Sequence, residues 1–313
     1  MLTPDQNALK SGETPDATGM LLDFPPIPNG IDYLASVVDL LANHPDDPRA
    51  LKYAVLHLHA AAEVLLKTRL QYEHWSLVFD DPRKATRRAF ESGNFTSCSM
   101  AETVTRLTEI AHVTLTTKER STLKNLGQDR NALQHYGLTH NARAIESRAG
   151  QCLDFLARFL KDELMPAMDA DMAMGADITD IKRRMEHIRT YRAERRRRLR
   201  GTLKDLAHRT LECHQCGELA LVIGDHCHFC SFPIGGFHPE YAADMHLTYR
   251  RIAKGGPDPQ KLISRCPRCK RRAVAPDIST AASDDPSPFC FNCAAPVPSS
   301  ETRGLTATPK DRP

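Results

Sequence analysis

Two groups of residues in this chain have the types and spacing to do chemistry. Eight of the ten cysteines fall in the last third as four C-x-x-C pairs, at 213/216, 227/230, 266/269 and 290/293. Each pair puts two sulfurs on one tight turn, and two such pairs complete a tetrahedral thiolate set for one zinc ion. In CHQCGELALVIGDHCHFC the pairs stand ten residues apart; Gly217 lets the chain turn, Leu219 to Ile223 alternates like a short strand, and Gly224–Asp225 forms a turn. In CPRCKRR…PFCFNC the gap is twenty residues. Both read as zinc ribbons, with Cys213, Cys216, Cys227 and Cys230 on one ion and Cys266, Cys269, Cys290 and Cys293 on a second. Filled four-cysteine sets make the metal structural and leave no open position for a catalytic water. They also leave His214, His226 and His228 without a vacancy. A redox dithiol would need a thioredoxin-like strand–helix–strand context, which the surroundings lack.

The second group is QDRNALQHYG, residues 128–137. Leu123, Leu126, position 130 and Leu133 step by three, four and three, the spacing of one buried helix face, yet position 130 is Arg130. A guanidinium keeps its charge, so burying it without partners is costly. Asn131 and His135 are four apart and share a face. Arg130 lies about 140° around the helix from His135, and only its long stem can bring its head to that side. His135 falls in the last turn before Gly137, where the negative end of the helix dipole favours positive charge. A guanidinium to clamp phosphate, an amide to orient it and an imidazole to move a proton suit a phosphodiester. The plainer reading pairs Arg130 with a buried acid and makes His135 a C-terminal cap.

The elements that must position these groups follow from periodicity and caps. Residues 1–28, ending in FPPIPNG, read as a disordered arm. A first helix is expected from about Ile31 to Ala42, and a second from Pro48 to His74, capped by Asp47. The second carries the stripe Leu51, Val55, Leu58, Ala62, Leu65, Leu66 and Leu70. A charged loop spans 80–97. Ser99 with Glu102, and Thr116 with Glu119, form capping boxes that open the third and fourth helices. Gly127 can kink the fourth. A fifth runs from Ala142 to Leu164 with Ile145, Ala149, Cys152, Leu153, Leu156, Phe159 and Leu160 on one side. The expected fold class is an all-α bundle of about five helices with a C-terminal pair of small zinc ribbons. The expected divisions are 1–28, the arm; 29–165, the helical domain; 166–210, a basic helical connector; 211–234, the first ribbon; 235–262, a connector; 263–297, the second ribbon; and 298–313, a tail.

Charge is unevenly placed. Between Lys182 and Lys204 stand eleven Lys or Arg against Glu186 and Glu194, a local +9; the whole chain carries +3, so −6 remains elsewhere. This stretch suits either a phosphate-tracking helix or a solvated spacer, and its one aromatic, Tyr191, does not suggest base stacking. Lys270, Arg271 and Arg272 follow a knuckle directly and can reach phosphate. Cys98 and Cys152 stand alone as ordinary thiols, and His57, His59, His74, His112 and His140 show no cluster spacing. No run of eighteen uncharged apolar residues occurs, and MLTPDQNALKSGETPD lacks the plan of a secretion signal. A cytoplasmic protein without a membrane partner is expected.

R-N-x-x-x-H late in a five-helix bundle resembles the signature of the HEPN superfamily, whose members are often metal-independent RNA endonucleases. The likeness covers residues 31–165 and includes YAVLHLHAAAEVLLKTRLQYEHWSLVF, similar to the second helix of these domains, with Glu63 and Lys67 at its acid and lysine. The resemblance implies a homodimer whose paired motifs line one cleft. There Arg130, Asn131 and His135 would act on RNA, Glu63 would hold Arg130, and a ribose 2′-hydroxyl would be the nucleophile. It also implies a toxin-like or host-defence setting, with the ribbons recognising RNA or a protein partner. The alternative is a non-catalytic RNA-binding or protein-interaction module on the same fold.

Overall fold

The computed structural model describes residues 24–137, 140–167, 172–252 and 258–298. The described residues are mostly helical, with a small β region at the C-terminal end. The tail expected at 298–313 and most of the arm expected at 1–28 lie outside them. The bundle is built around α2 (Pro48–Glu73), which packs against α1 (Pro26–Asn43), α4 (Met100–Glu109), α5 (Thr117–His135) and α6 (Ala142–Phe159). Its stripe is buried from Val55 to Leu70, because Val55, Leu58, Ala62, Leu65, Leu66 and Leu70 fall on one apolar helix face. Helix α1 starts earlier than its sequence suggests. Pro26 sits at the first position, where a missing N–H costs nothing, and Ile27, Ile31 and Leu34 already form the buried face. The Thr116–Glu119 capping box is complete. At Ser99 only half forms: the hydroxyl accepts from the Glu102 N–H, while Glu102 turns to Arg106.

About five helices was too low an expectation; ten lie among the described residues. Three causes account for this. The charged stretch 80–97 holds a short helix, α3 (Arg87–Ser92), capped by Thr86. The basic segment is two helices, α7 (Met172–Met185) and α8 (Arg189–Lys204), separated at 186–188. The stretch 235–262 contains α9 (Pro239–Ile252) and α10 (Pro259–Leu262). Helix α6 ends at Phe159 and continues as a π-turn, Leu160–Leu164. Gly127 does not interrupt α5.

The β region has two sheets. Strands β1 (Thr210–Glu212) and β2 (Leu219–Val222) pair antiparallel beside the first cysteine set. The second set sits in a meander of β3 (Ser264–Arg265), β4 (Arg272–Thr280), β5 (Ser283–Cys290) and β6 (Ala295–Pro296). The twenty residues between its knuckles are thus mainly the β4–β5 hairpin. The two units touch: the Ala281 N–H donates to the Thr210 carbonyl at 2.8 Å. Helix α9 lies on β4, tied by Arg272 to Glu240 at 2.8 Å.

Helix α8 joins the bundle to the first ribbon. Asp154 of α6, 3% exposed, receives Arg198 through Nε and Nη2 at 2.7 and 3.1 Å, with Arg195 at 3.6 Å. Glu218, 5% exposed beside the first knuckle, receives Arg196 at 2.6 and 2.8 Å and also pairs with Arg192. Arg195 further donates to the carbonyls of Phe229 and His228. Gly150 permits the close approach of α6 and α8, since a Cβ there would lie 2.6 Å from the Thr190 carbonyl carbon. Four of the seven arginines of this helix, Arg192, Arg195, Arg196 and Arg198, thus reach a buried acid of the bundle or the ribbon, and Tyr191 is buried, while Arg197 and Arg200 are exposed. Replacing Asp154 by Ala leaves Arg198 without its partner, while Arg195 keeps the Phe229 and His228 carbonyls, and should cost about 1–3 kcal/mol in chemical denaturation. A loss below about 1 kcal/mol, the range of exposed pairs, would show that the clasp contributes little.

Candidate functional site

The motif lies on the second half of α5, against α2. Leu123 and Leu126 are buried as expected, but the next buried position is Asp129. Its carboxylate receives Arg148 of α6 at 2.7 and 3.0 Å. The apolar stripe therefore drifts by one residue, and Arg130 is half-buried at its edge. Arg130 Nη1 donates to Asn131 Oδ1 at 2.8 Å. Asn131 is exposed, as is His135, the last residue of the helix, and Tyr136 beyond it is 90% exposed.

Facing this segment, α2 presents His59, Glu63 and Lys67 at steps of four. Lys67, 8% exposed, donates to Glu63 at 2.5 Å and to Ser97 Oγ at 2.8 Å. No hydrogen bond or ion pair joins Glu63 to Arg130. Lys67 takes the carboxylate, and Arg130 stands near enough to act on it through its field. Burial pushes the Glu63 carboxyl up; the bond and charge of Lys67, aided by His59 and Arg130, outweigh it and hold it below the ordinary value.

His59 has no cluster spacing in the sequence, and the structure places it against Glu63. It is buried, its Nδ1 lies 3.8 Å from Glu63, and a Cβ at Gly127 of α5 would sit 3.7 Å from its Nε2. Burial lowers its titration point below 6.5; Glu63 opposes this, and Arg130 and Lys67 add to it. Only the absence of bulk at Gly127, opposite an i,i+4 run of His, Glu and Lys, hinted at this seam. The structure thus brings Arg130, Asn131, Glu63 and His59 into one polar seam, with His135 at its solvent end.

The cysteines form two separate clusters. Cys213–Cys230 and Cys216–Cys227 sulfurs are 3.7 and 3.8 Å apart, and Cys266–Cys293 and Cys269–Cys290 are 3.9 and 3.7 Å apart. A disulfide requires about 2.05 Å. Thiolates about 2.3 Å from a tetrahedral zinc stand about 3.8 Å from one another, so both sets can bind zinc. Each knuckle is followed by a residue with positive φ: Gly217, Ser231, Lys270 and Ala294. Only the first of these is visible as a glycine; the other three adopt a left-handed backbone that L-residues resist. A third group, Asp225, His226 and His228, lies beside the first cluster, with both rings bonded to the carboxylate at 2.7 and 3.1 Å. No group of three potential metal ligands among the described residues includes Glu63 or His135.

No family model, curated protein or solved structure matches this chain. The likeness to the HEPN superfamily accordingly rests on the residues themselves. Among the described residues no helix is long and apolar enough to cross a membrane. Of the basic residues after the Cys269 knuckle, Arg272 is spent on Glu240 and on the carbonyls of Ile263 and Gln260, while Lys270 and Arg271 are exposed. Cys98 and Cys152 are both buried, and burial pushes the Cys152 thiol up to about 12.

Because His59 titrates below its unfolded value of 6.5, the stability it contributes is present above that pH and lost as pH falls beneath it. Imidazole NMR should place its midpoint below 6.5. Arg130→Gln should raise that midpoint without restoring it fully, since burial remains. No movement in that variant would show that Arg130 and His59 are not coupled.

Proposed function

We propose that the chain is a metal-independent endoribonuclease of HEPN type, acting as a homodimer. The observation that carries this is the seam itself: Arg130 and Asn131, hydrogen-bonded on α5, beside the His59–Glu63–Lys67 row of α2, with His135 exposed at the end of the same helix. The ribose 2′-oxygen attacks the adjacent phosphorus, the bond from phosphorus to the 5′-oxygen breaks, and His135 moves the proton from the 2′-hydroxyl to the leaving 5′-oxygen. Arg130 stabilises the charge that builds on the phosphate, and Asn131 orients it. In one protomer His135 and Asn131 stand on an open surface, so a second copy is required to close the cleft. The exposed Tyr136 beside them is the kind of aromatic that such an interface buries. The two cysteine sets hold one structural zinc each, and the ribbons contact RNA or a partner protein.

The same exposure of His135 and Asn131 favours the rival reading, a non-catalytic RNA-binding or protein-interaction module. Incubation with RNA in EDTA separates the two. The nuclease leaves 2′,3′-cyclic phosphate and 5′-hydroxyl ends, and His135→Ala or Arg130→Ala costs on the order of 10²-fold or more in rate. Wild-type cleavage by His135→Ala, or loss of activity in EDTA while the protein stays folded, overturns the mechanism. Metal analysis of chelator-free protein should return two zinc ions per chain. Cys213→Ser should remove one and unfold the first ribbon while most helical circular dichroism survives; a single zinc in the wild type would refute the assignment.

A further inference from the structure

A cavity of about 240 Å³ lies where α6 and its π-turn, α7, α8 and the first ribbon meet. Five of its lining residues are cations: Arg158, Lys161, Lys182, Arg195 and Arg198. Three of them are matched inside the protein. Arg158 pairs with Glu119 at 2.6 Å, and Arg195 and Arg198 share Asp154. Lys161 and Lys182 have no ion pair or hydrogen bond within reach among the described residues, although Lys182 is half-buried. Burial, and then the like charges of Lys161 and Arg195, hold Lys182 below its ordinary titration point against the pull of Asp162.

Asp162 and Glu186 also line the cavity, Asp162 lying 4.0 Å from Arg158; with Glu119 and Asp154 included, five cations stand against four carboxylates, and positive charge is in excess. The backbone is also unusual here. Lys161 is carried on the five-residue π-turn, Leu160–Leu164, a form that is rare and often marks functional positions. Thr202 and Ser231 add hydroxyls to the wall. The volume is below that of pockets for drug-sized ligands, which excludes a large organic occupant.

We propose that this cavity is a binding site for a compact phosphorylated anion, of the size of pyrophosphate or a small phosphate ester, held chiefly by Lys161 and Lys182. The ammonium groups supply charge-assisted hydrogen bonds, and the guanidinium of Arg195, held by Asp154 and two carbonyls, lines the same cavity. Such a ligand would touch the helical bundle and the ribbon together and strengthen their docking. The site is separate from the α2–α5 seam and does not depend on the nuclease reading.

Calorimetric titration of the full, zinc-replete chain with inorganic phosphate, pyrophosphate and AMP tests this. At least one should bind saturably with a Kd below about 1 mM. Lys161→Gln and Lys182→Gln should each weaken it about tenfold, while Arg130→Gln leaves it unchanged. Lys161 is exposed, so its variant reports on binding even if Lys182→Gln disturbs packing. No saturable binding by any of the three anions, or wild-type affinity in Lys161→Gln, overturns the proposal. Displacement of pyrophosphate by a short deoxyoligonucleotide at comparable concentration would also overturn it, by assigning the cations to a nucleic-acid backbone.

Discussion

Two buried carboxylates organise the junction of this protein. Asp154 and Glu218 lie on different sides of α8, each taking a bidentate arginine and a second guanidinium. An isolated buried charge is expensive, and a buried pair recovers the expense only when its geometry is good and its remaining hydrogen bonds are met. Here the four arginines come from one helix, at 192, 195, 196 and 198, so a single rigid element satisfies both acids. The orientation of the first ribbon on the bundle then follows. If α8 shifts by a turn, both acids lose partners together.

The cysteine clusters impose the second constraint. Strands as short as β1 and β2 bury little surface, so the ribbon depends on whatever its four sulfurs hold. A tetrathiolate zinc carries a net negative charge, and the arginines of α8 lie along that side of the knuckles, donating to the carbonyls of Cys216, His228 and Phe229. The concentration of positive charge in the sequence is therefore largely answered within the fold. Among the described residues of that stretch, Lys182, Arg200 and Lys204 have no ion pair, and Lys270 and Arg271 on the second ribbon are exposed.

The α2–α5 seam is a different kind of polar site. Its acid, Glu63, is held ionised by a buried lysine, and its imidazole, His59, is held neutral by burial. Groups pushed in defined directions by burial and by one another share this seam, next to an arginine only half removed from water. That seam is also where the apolar stripe of α5 gives way, passing from Leu126 to Asp129.

Much of this was legible in the sequence, for local reasons. The four C-x-x-C pairs, the Thr116–Glu119 box and the stripe of α2 are statements about neighbours a few residues apart, and helix and knuckle geometry translate them directly. Arg130 could be singled out because a charge interrupts a period. The tertiary structure alone decided which acids receive the arginines, since Asp154 and Glu218 lie 44 and 22 residues from their partners and nothing local selects them. It also decided that Asp129 is the buried position, that Lys67 and not Arg130 closes on Glu63, and that His59 belongs with them. Each of these depends on how two helices meet, and the period of one helix carries no record of the other.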